Sequence, residues 1–243
     1  MEIRLYDEEI EESLDLLNNS GLKVQVESLL NSLASGDCAG CTKCCSESVN
    51  TSYTEFIRIY EYLEEREELF NDLLAKIFNY YFLEPVKRQK CPFLSELGRC
   101  LIYPVRPLPC RIFGFLSEED YNKNLSQIND SNNAIAKDFK ENYGLVIPSE
   151  VMNFNIDYCK DFKSDDKLTL DQRDEIIEKF INFDSIFFKK DLLDENFINQ
   201  SLVSWFMYLY YDMDSLSENR IMICRDYLKF GKSKILASIV ESL

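Results

Sequence analysis

The sequence predicts a mainly α-helical globule around an irregular cysteine-rich core, followed by a C-terminal helical subdomain. Three observations carry this expectation. Glycine is scarce, seven in 243 residues, and long segments place apolar residues at three- and four-residue intervals. Between Cys91 and Phe115 that periodicity stops, interrupted by Pro92, Pro104, Pro107 and Pro109 together with Gly98 and Gly114. Seven of the nine cysteines lie between residues 38 and 110.

Taken in order, a first helix is expected over about Asp7–Leu17, with Ile10, Leu14 and Leu17 on one face, and a second over Leu22–Leu33. Ser35-Gly36-Asp37 signals a loop, and Cys38–Cys45 then reads as a knuckle. Ser52-Tyr-Thr-Glu55 fits a capping box, in which Ser and Glu side chains satisfy the first free backbone N–H groups of a helix. It opens a strongly helical region whose stripe includes Phe56, Ile59, Leu63, Phe70, Leu73 and Ile77, a core face. Glu64–Glu68 is either the solvated middle of one helix or a break between two. In the proline-rich stretch, short strand pairing is expected between Leu101–Tyr103 and Ile112–Phe115.

Ser117-Glu-Glu-Asp120 reads as a helix start, and a helix is expected over about Asn132–Tyr143, ended by Gly144 with Pro148 beyond. Polar Lys163–Lys167 marks a turn, which divides the chain into residues 1–163 and a helical subdomain over 164–243 packed on them. In that second part Ile176, Ile177, Phe180, Phe183 and Phe187 form one stripe; Phe197, Leu202, Phe206, Leu209 and Met213 suggest another.

The net charge is −16, which disfavours nucleic acid as a partner because phosphate binding depends on clustered Lys and Arg. No apolar run reaches the length of a membrane span, and no basic-then-apolar leader opens the chain, so a cytoplasmic protein is expected. Charge is uneven, however. Between Pro85 and Phe115 stand Lys87, Arg88, Lys90, Arg99, Arg106 and Arg111, opposed only by Glu96. These cations either offset clustered thiolates or line a pocket for an anionic substrate or cofactor. Histidine is absent. That removes Ser–His and Cys–His catalytic pairs and leaves sulfur, with carboxylate help at most, to hold any metal.

The cysteines open as Cys38-Ala-Gly-Cys41-Thr-Lys-Cys44-Cys45 and continue with Cys91, Cys100, Cys110 and Cys159. A C-x2-C-x2-C run brings three sulfurs of one loop to a common centre, the opening spacing with which bacterial ferredoxins wrap a 4Fe–4S cube. Disulfides are disfavoured in an intracellular chain of this size, and adjacent Cys44 and Cys45 cannot join without strain. Buried free thiol suits isolated Cys224 but not the others. Metal is the reading that remains, with Cys38, Cys41, Cys44, Cys45, Cys91, Cys100, Cys110 and Cys159 as candidate ligands. Eight sulfurs would also furnish two tetrahedral zinc sites, so a 4Fe–4S cluster is favoured and zinc stays open. Arg106 and Arg111 flank Cys110 and can donate to thiolate, sulfide or an anionic ligand. Tyr103 is either a hydroxyl donor to sulfur or an ordinary core tyrosine.

These residues carry a resemblance. Cys38-x2-Cys41-x2-Cys44-Cys45, Cys91-Pro-Phe-Leu and Gly98-Arg99-Cys100-Leu-Ile-Tyr103-x2-Arg106-Pro107-x2-Cys110-Arg111-x-Phe113 together resemble the CxxCxxCC family of zinc- or iron-chelating proteins. The family is often described as containing an Fe–S cluster, and the flagellin lysine N-methylase is related to it. The resemblance spans about residues 36–116 and implies a metal centre. Members commonly carry proline where this chain has Gly114. The function expected is that of an Fe–S protein in redox or protein-modification chemistry, an oxidoreductase or an enzyme acting on a protein substrate; lysine methylation is supported by the family relationship alone. A zinc-stabilised interaction module and metal trafficking are the alternatives. No glycine-rich strand–turn–helix loop for S-adenosylmethionine is visible.

Overall fold

The computed structural model describes residues 4–33, 36–194 and 200–243. Eleven α-helices stand in the described residues, and the only named strands, β1 (Asn50–Thr51) and β2 (Gln200–Ser201), form a two-residue antiparallel pair. The mainly α expectation holds. Among the described residues no helix is long and apolar enough to cross a membrane.

Helices α1 (Asp7–Asn19) and α2 (Leu22–Ser32) bury Ile10, Leu17, Val26 and Leu30, as their periodicity predicts. The loop residue Ser35, like Phe197 of the second C-terminal stripe, lies outside the described residues. The Ser52–Glu55 capping box is formed, with Ser52 Oγ accepting the Glu55 N–H, and it starts α3 (Tyr53–Glu64). The acidic run proves to be a break: α3 stops at Glu64 and α4 (Glu67–Leu83) begins afresh. Arg66 supports the break, its guanidinium lying over the Tyr62 ring and donating to the Tyr62 carbonyl at 2.7 Å.

The expected strand pair at Leu101–Tyr103 and Ile112–Phe115 is absent. Tyr103–Val105 is a 3₁₀ turn, Leu108–Ile112 is the short helix α5, and Phe113–Phe115 is a second 3₁₀ turn. Proline explains the outcome: Pro107 precedes α5 and Pro109 occupies its first turn, where a missing N–H costs nothing. Helix α6 (Glu118–Tyr143) starts at Ser117, as the sequence reads, and continues without a break through the expected Asn132–Tyr143 helix as one element. Gly144 ends it at φ +66°. Pro148 precedes the short α7 (Ser149–Met152).

Helix α8 (Leu170–Phe188) begins at a Thr169–Gln172 capping box and buries Ile176, Phe180 and Phe187; Ile177 and Phe183 pack at its margin. The Leu202–Met213 stripe is split between α9 (Leu202–Tyr208) and α10 (Met213–Phe230), capped by Ser201 and Asp212. The chain ends in α11 (Lys234–Glu241).

The core forms around α3 and α4. Trp205 of α9 is fully buried, stacked on Phe56 at 5.6 Å, and its indole N–H donates to the Thr51 carbonyl at 3.1 Å. Helices α9, α10 and α11 all pack on α4, while α8 packs on α3. The N-terminus of α3 is held from across the molecule. Asp184 of α8 is buried, and its carboxylate accepts the N–H groups of Tyr53 and Thr54 at 2.9 and 2.8 Å and the Thr54 hydroxyl at 2.6 Å. This fixes the exit of the cysteine knuckle relative to the core.

Candidate metal centre

Gly40 and Thr42 both adopt left-handed backbone, at φ +66° and +59°, one in each x2 spacer of Cys38-x2-Cys41-x2-Cys44, and the Cys45 N–H donates to the Thr42 carbonyl at 3.2 Å. The second cysteine segment joins it directly, since the Cys91 N–H donates to the Cys45 carbonyl at 3.0 Å. Cys91 and Cys100 are brought back on one another by a small hairpin. Its Leu101 N–H donates to the Phe93 carbonyl and its Ser95 N–H to the Arg99 carbonyl, and Gly98 turns the chain at φ +71°. Cys110 sits on α5.

The third segment arrives through Phe162. The bridge Asp37–Lys163 pairs the chain before Cys38 with the chain after Cys159, through N–H···O bonds of 2.9 and 3.1 Å. Phe162 lies against Gly36 and Gly114, and a Cβ at either glycine would overlap its ring. Its other neighbour is Phe115, edge-on at 4.7 Å. The approach of the ring, rather than an unusual φ, is what requires glycine at 114.

All nine cysteines are free thiols, so no disulfide competes with the metal reading. Cys44 lies within electrostatic reach of Cys91, Cys100, Cys110 and Cys159 and is hydrogen-bonded to Cys45. Cys38 neighbours Cys100, and Cys41 neighbours Cys159. The eight candidate ligands, from three separated segments, are thus linked by electrostatic influence. Cys224 stands apart, buried with its sulfur against the Phe82 carbonyl at 3.3 Å.

The thiols are poised against ionising alone. The hydrogen bond to Cys45, with burial second, pushes the Cys44 pKa up, and burial pushes Cys91 up to about 12. Burial also raises Cys100 and Cys159, and it drives Cys110 well above its ordinary value although part of that residue's surface reaches solvent. Negative charge on one raises its neighbours further. Opposing this, the backbone N–H groups of Phe93, Ile102 and Asp161 pull the Cys91, Cys100 and Cys159 thiols downward. The Gly40 N–H donates to the Cys38 sulfur at 3.5 Å. Lys90 acts on Cys44 and Arg106 on Cys100 in the same sense. Lys90 is anchored there, donating to Ser46 Oγ at 3.2 Å.

This donor set fits a thiophilic metal: soft sulfurs, no imidazole, and built-in compensation for thiolate charge. Among the described residues no group of three or more side chains already stands at ligand spacing, so metal binding would draw the sulfurs inward.

The non-cysteine candidates fall differently from expectation. Tyr103 is 46 % exposed, its ring beneath the Arg106 guanidinium at 3.9 Å, and is not a core residue. Arg106 donates to the Tyr103 carbonyl at 3.1 Å. Arg111 donates to the carbonyls of Arg106 and Pro104 at 2.9 and 2.6 Å. Both arginines thus knit the 103–111 loop. The sequence reading missed Phe162, Lys90 as an individual neighbour, and a cavity of about 570 Å³ beside Cys41, Cys44 and Cys159. Only Lys90 left a signal, as one member of the basic run.

Fold and site together define a helical protein with an irregular, thiol-rich segment at its candidate metal centre. Residues 37–132 match the CxxCxxCC family model, described as "Putative zinc- or iron-chelating domain". No curated protein and no solved structure matches the chain.

Proposed function

We propose that the protein carries a cysteine-ligated iron–sulfur cluster, 4Fe–4S in type, and uses it in redox or protein-modification chemistry. The ligands are drawn from Cys38, Cys41, Cys44, Cys45, Cys91, Cys100, Cys110 and Cys159. One observation carries the reading: cysteines of three separated segments lie within electrostatic reach of Cys44, and the Gly40 N–H donates to Cys38 at 3.5 Å. Such donors lower the cost of concentrating negative charge and tune a cluster's potential. The C-x2-C-x2-C opening supports iron–sulfur over zinc. A protein substrate, a lysine-methylating reaction among those considered, and a reducing cytoplasmic setting belong to the same proposal. The C-terminal helices serve it as scaffold.

A second reading has its own support. The centre staples three irregular segments that have little regular structure of their own, which is what a structural zinc site does. On that reading the protein is an interaction module. Purification without oxygen, followed by iron, acid-labile sulfide and zinc determination per chain, separates the two. Iron with matching sulfide and visible absorption is expected; stoichiometric zinc without sulfide would overturn the cluster in favour of the second reading. A preparation with neither would end both.

A further inference from the structure

Arg58 of α3 is a cation that the fold buries without a partner. It is 9 % exposed, and among the described residues its guanidinium makes no ion pair and no hydrogen bond. The acidic residues within electrostatic reach are Glu55, Glu27 and Glu61. Glu55 spends its oxygens on the N–H groups of Leu108 and Ser52, Glu61 pairs with Lys23 at 2.7 Å, and Glu27 is exposed on α2. Buried charges are ordinarily paired, because their desolvation is otherwise uncompensated, and arginine does not escape the cost by losing its proton. Two more guanidiniums stand on the neighbouring segment. Helix α3 packs against the Tyr103–Val105 turn, beside which Arg106 donates to the Tyr103 carbonyl and Arg111 to the carbonyls of Pro104 and Arg106. Arg111 lies within electrostatic reach of both Arg106 and Arg58. Arg106 and Arg111 are only half-buried, so the group meets solvent on their side. Arg58 uses none of its N–H donors, Arg106 one and Arg111 two.

We propose that Arg58, Arg106 and Arg111 form an oxyanion site of the phosphate class, where a multiply charged anion binds at the junction of α3 and the 103–111 loop and supplies the partner that Arg58 lacks. A guanidinium presents its N–H groups as a planar fork that takes two oxygens of a phosphate side by side. A carboxylate, with two oxygens and one charge, answers a single fork. Phosphate has the oxygens and the charge to answer more than one, and it relieves the mutual repulsion that lowers the Arg111 pKa beyond the effect of burial. The inference goes beyond the metal reading and does not depend on it, since guanidinium nitrogens are not the donors proposed for the metal.

The test titrates the full chain with inorganic phosphate at constant ionic strength, followed by calorimetry. Saturable binding is expected, with a rise in thermal midpoint that sodium chloride of the same ionic strength does not produce. Arg58→Met keeps the apolar stem and removes the charge; it should stay folded and weaken phosphate binding by about tenfold or more. Should that variant fail to fold, Arg106→Gln, on the solvent side, reads out the same loss. Arg99→Gln removes an exposed arginine of the same basic run and should leave binding unchanged. A wild type without saturable phosphate binding overturns the inference, as does binding undiminished in Arg58→Met and Arg106→Gln. An equal loss in Arg99→Gln overturns it too, by reducing the effect to the general charge of the run. Acetate bound as tightly as phosphate would overturn the phosphate class.

Discussion

The carboxylate of Glu55, buried in the first turn of α3, accepts the backbone N–H of Leu108 at 2.5 Å. Leu108 opens α5, which carries Cys110 two residues later. A helix cap on one element thereby also positions a cysteine on another, and the two functions share one ionisable group.

That sharing has a pH signature. Burial raises the Glu55 pKa from 4.5 to about 7. The folded state therefore holds a proton that the unfolded state releases first, and stability falls as pH rises between 4.5 and about 7. The full effect is about 3 kcal/mol. Glu55→Gln should remove this component, so that the variant gains on wild type by roughly that amount across the window. Urea denaturation of both proteins at several pH values measures it; parallel curves would refute the assignment. Asp184, raised by burial to about 6, contributes the same sign over a lower window and remains in the variant.

Gly114→Ala should destabilise the protein by about 1–3 kcal/mol, because the new methyl meets the Phe162 ring. Metal content should fall with it, since Phe162 holds the Cys159 segment against the other two. Phe162→Gly removes both the ring and the Cβ that the methyl would meet, so the double variant should lose less than the sum of the two single changes. Thermal midpoints with metal analysis give the cycle, and strict additivity would mean the two sites do not touch.

Cys41→Ser should lower both metal content and soluble yield, because structural thiolate sites contribute about 10–16 kcal/mol to folding in small zinc peptides. Cys224→Ser should lower neither. A serine there can still donate to the Phe82 carbonyl that now faces the sulfur. Metal bound by Cys41→Ser at the wild-type level would remove Cys41 from the ligand set.

Arg111 and Arg106 should separate. Arg111→Ala frees two loop carbonyls and should cost about 1–3 kcal/mol, and lysine, without the planar fork, should restore little of it. Arg106→Ala loses one carbonyl bond and an exposed stacking contact, and should leave metal bound. Metal loss in Arg106→Ala would instead make its field on Cys100 necessary for binding.

The sequence was most readable where local rules decide. The capping box at Ser52 and the stop at Gly144 follow from a few neighbouring residues and emerge as read. The helical stripes around Phe56 and Phe180 are buried for the same reason. The proline-rich stretch was readable as irregular but not as helical turns, because Pro107 and Pro109 suit a helix start as well as they oppose a helix interior. Long-range partners left no trace. Nothing near Asp184 says that it caps α3, and nothing in Cys159-Lys-Asp-Phe162 says that its ring fills the space beside two distant glycines. The cysteine set was legible as a set; that Cys91 and Cys100 pack on the core while Cys38, Cys41 and Cys110 are exposed depends on tertiary packing alone.

Trp205 reaches the carbonyl of Thr51, one residue before the cap of α3. Its plane, together with Phe206, fills the hollow lined by Phe56. A polypeptide cut after residue 163 would keep every candidate ligand yet leave Phe56 and Thr51 facing water. The matched segment at 37–132 therefore shares its core with the rest of the chain: the candidate ligands lie in the first two thirds, and their foundation in the last.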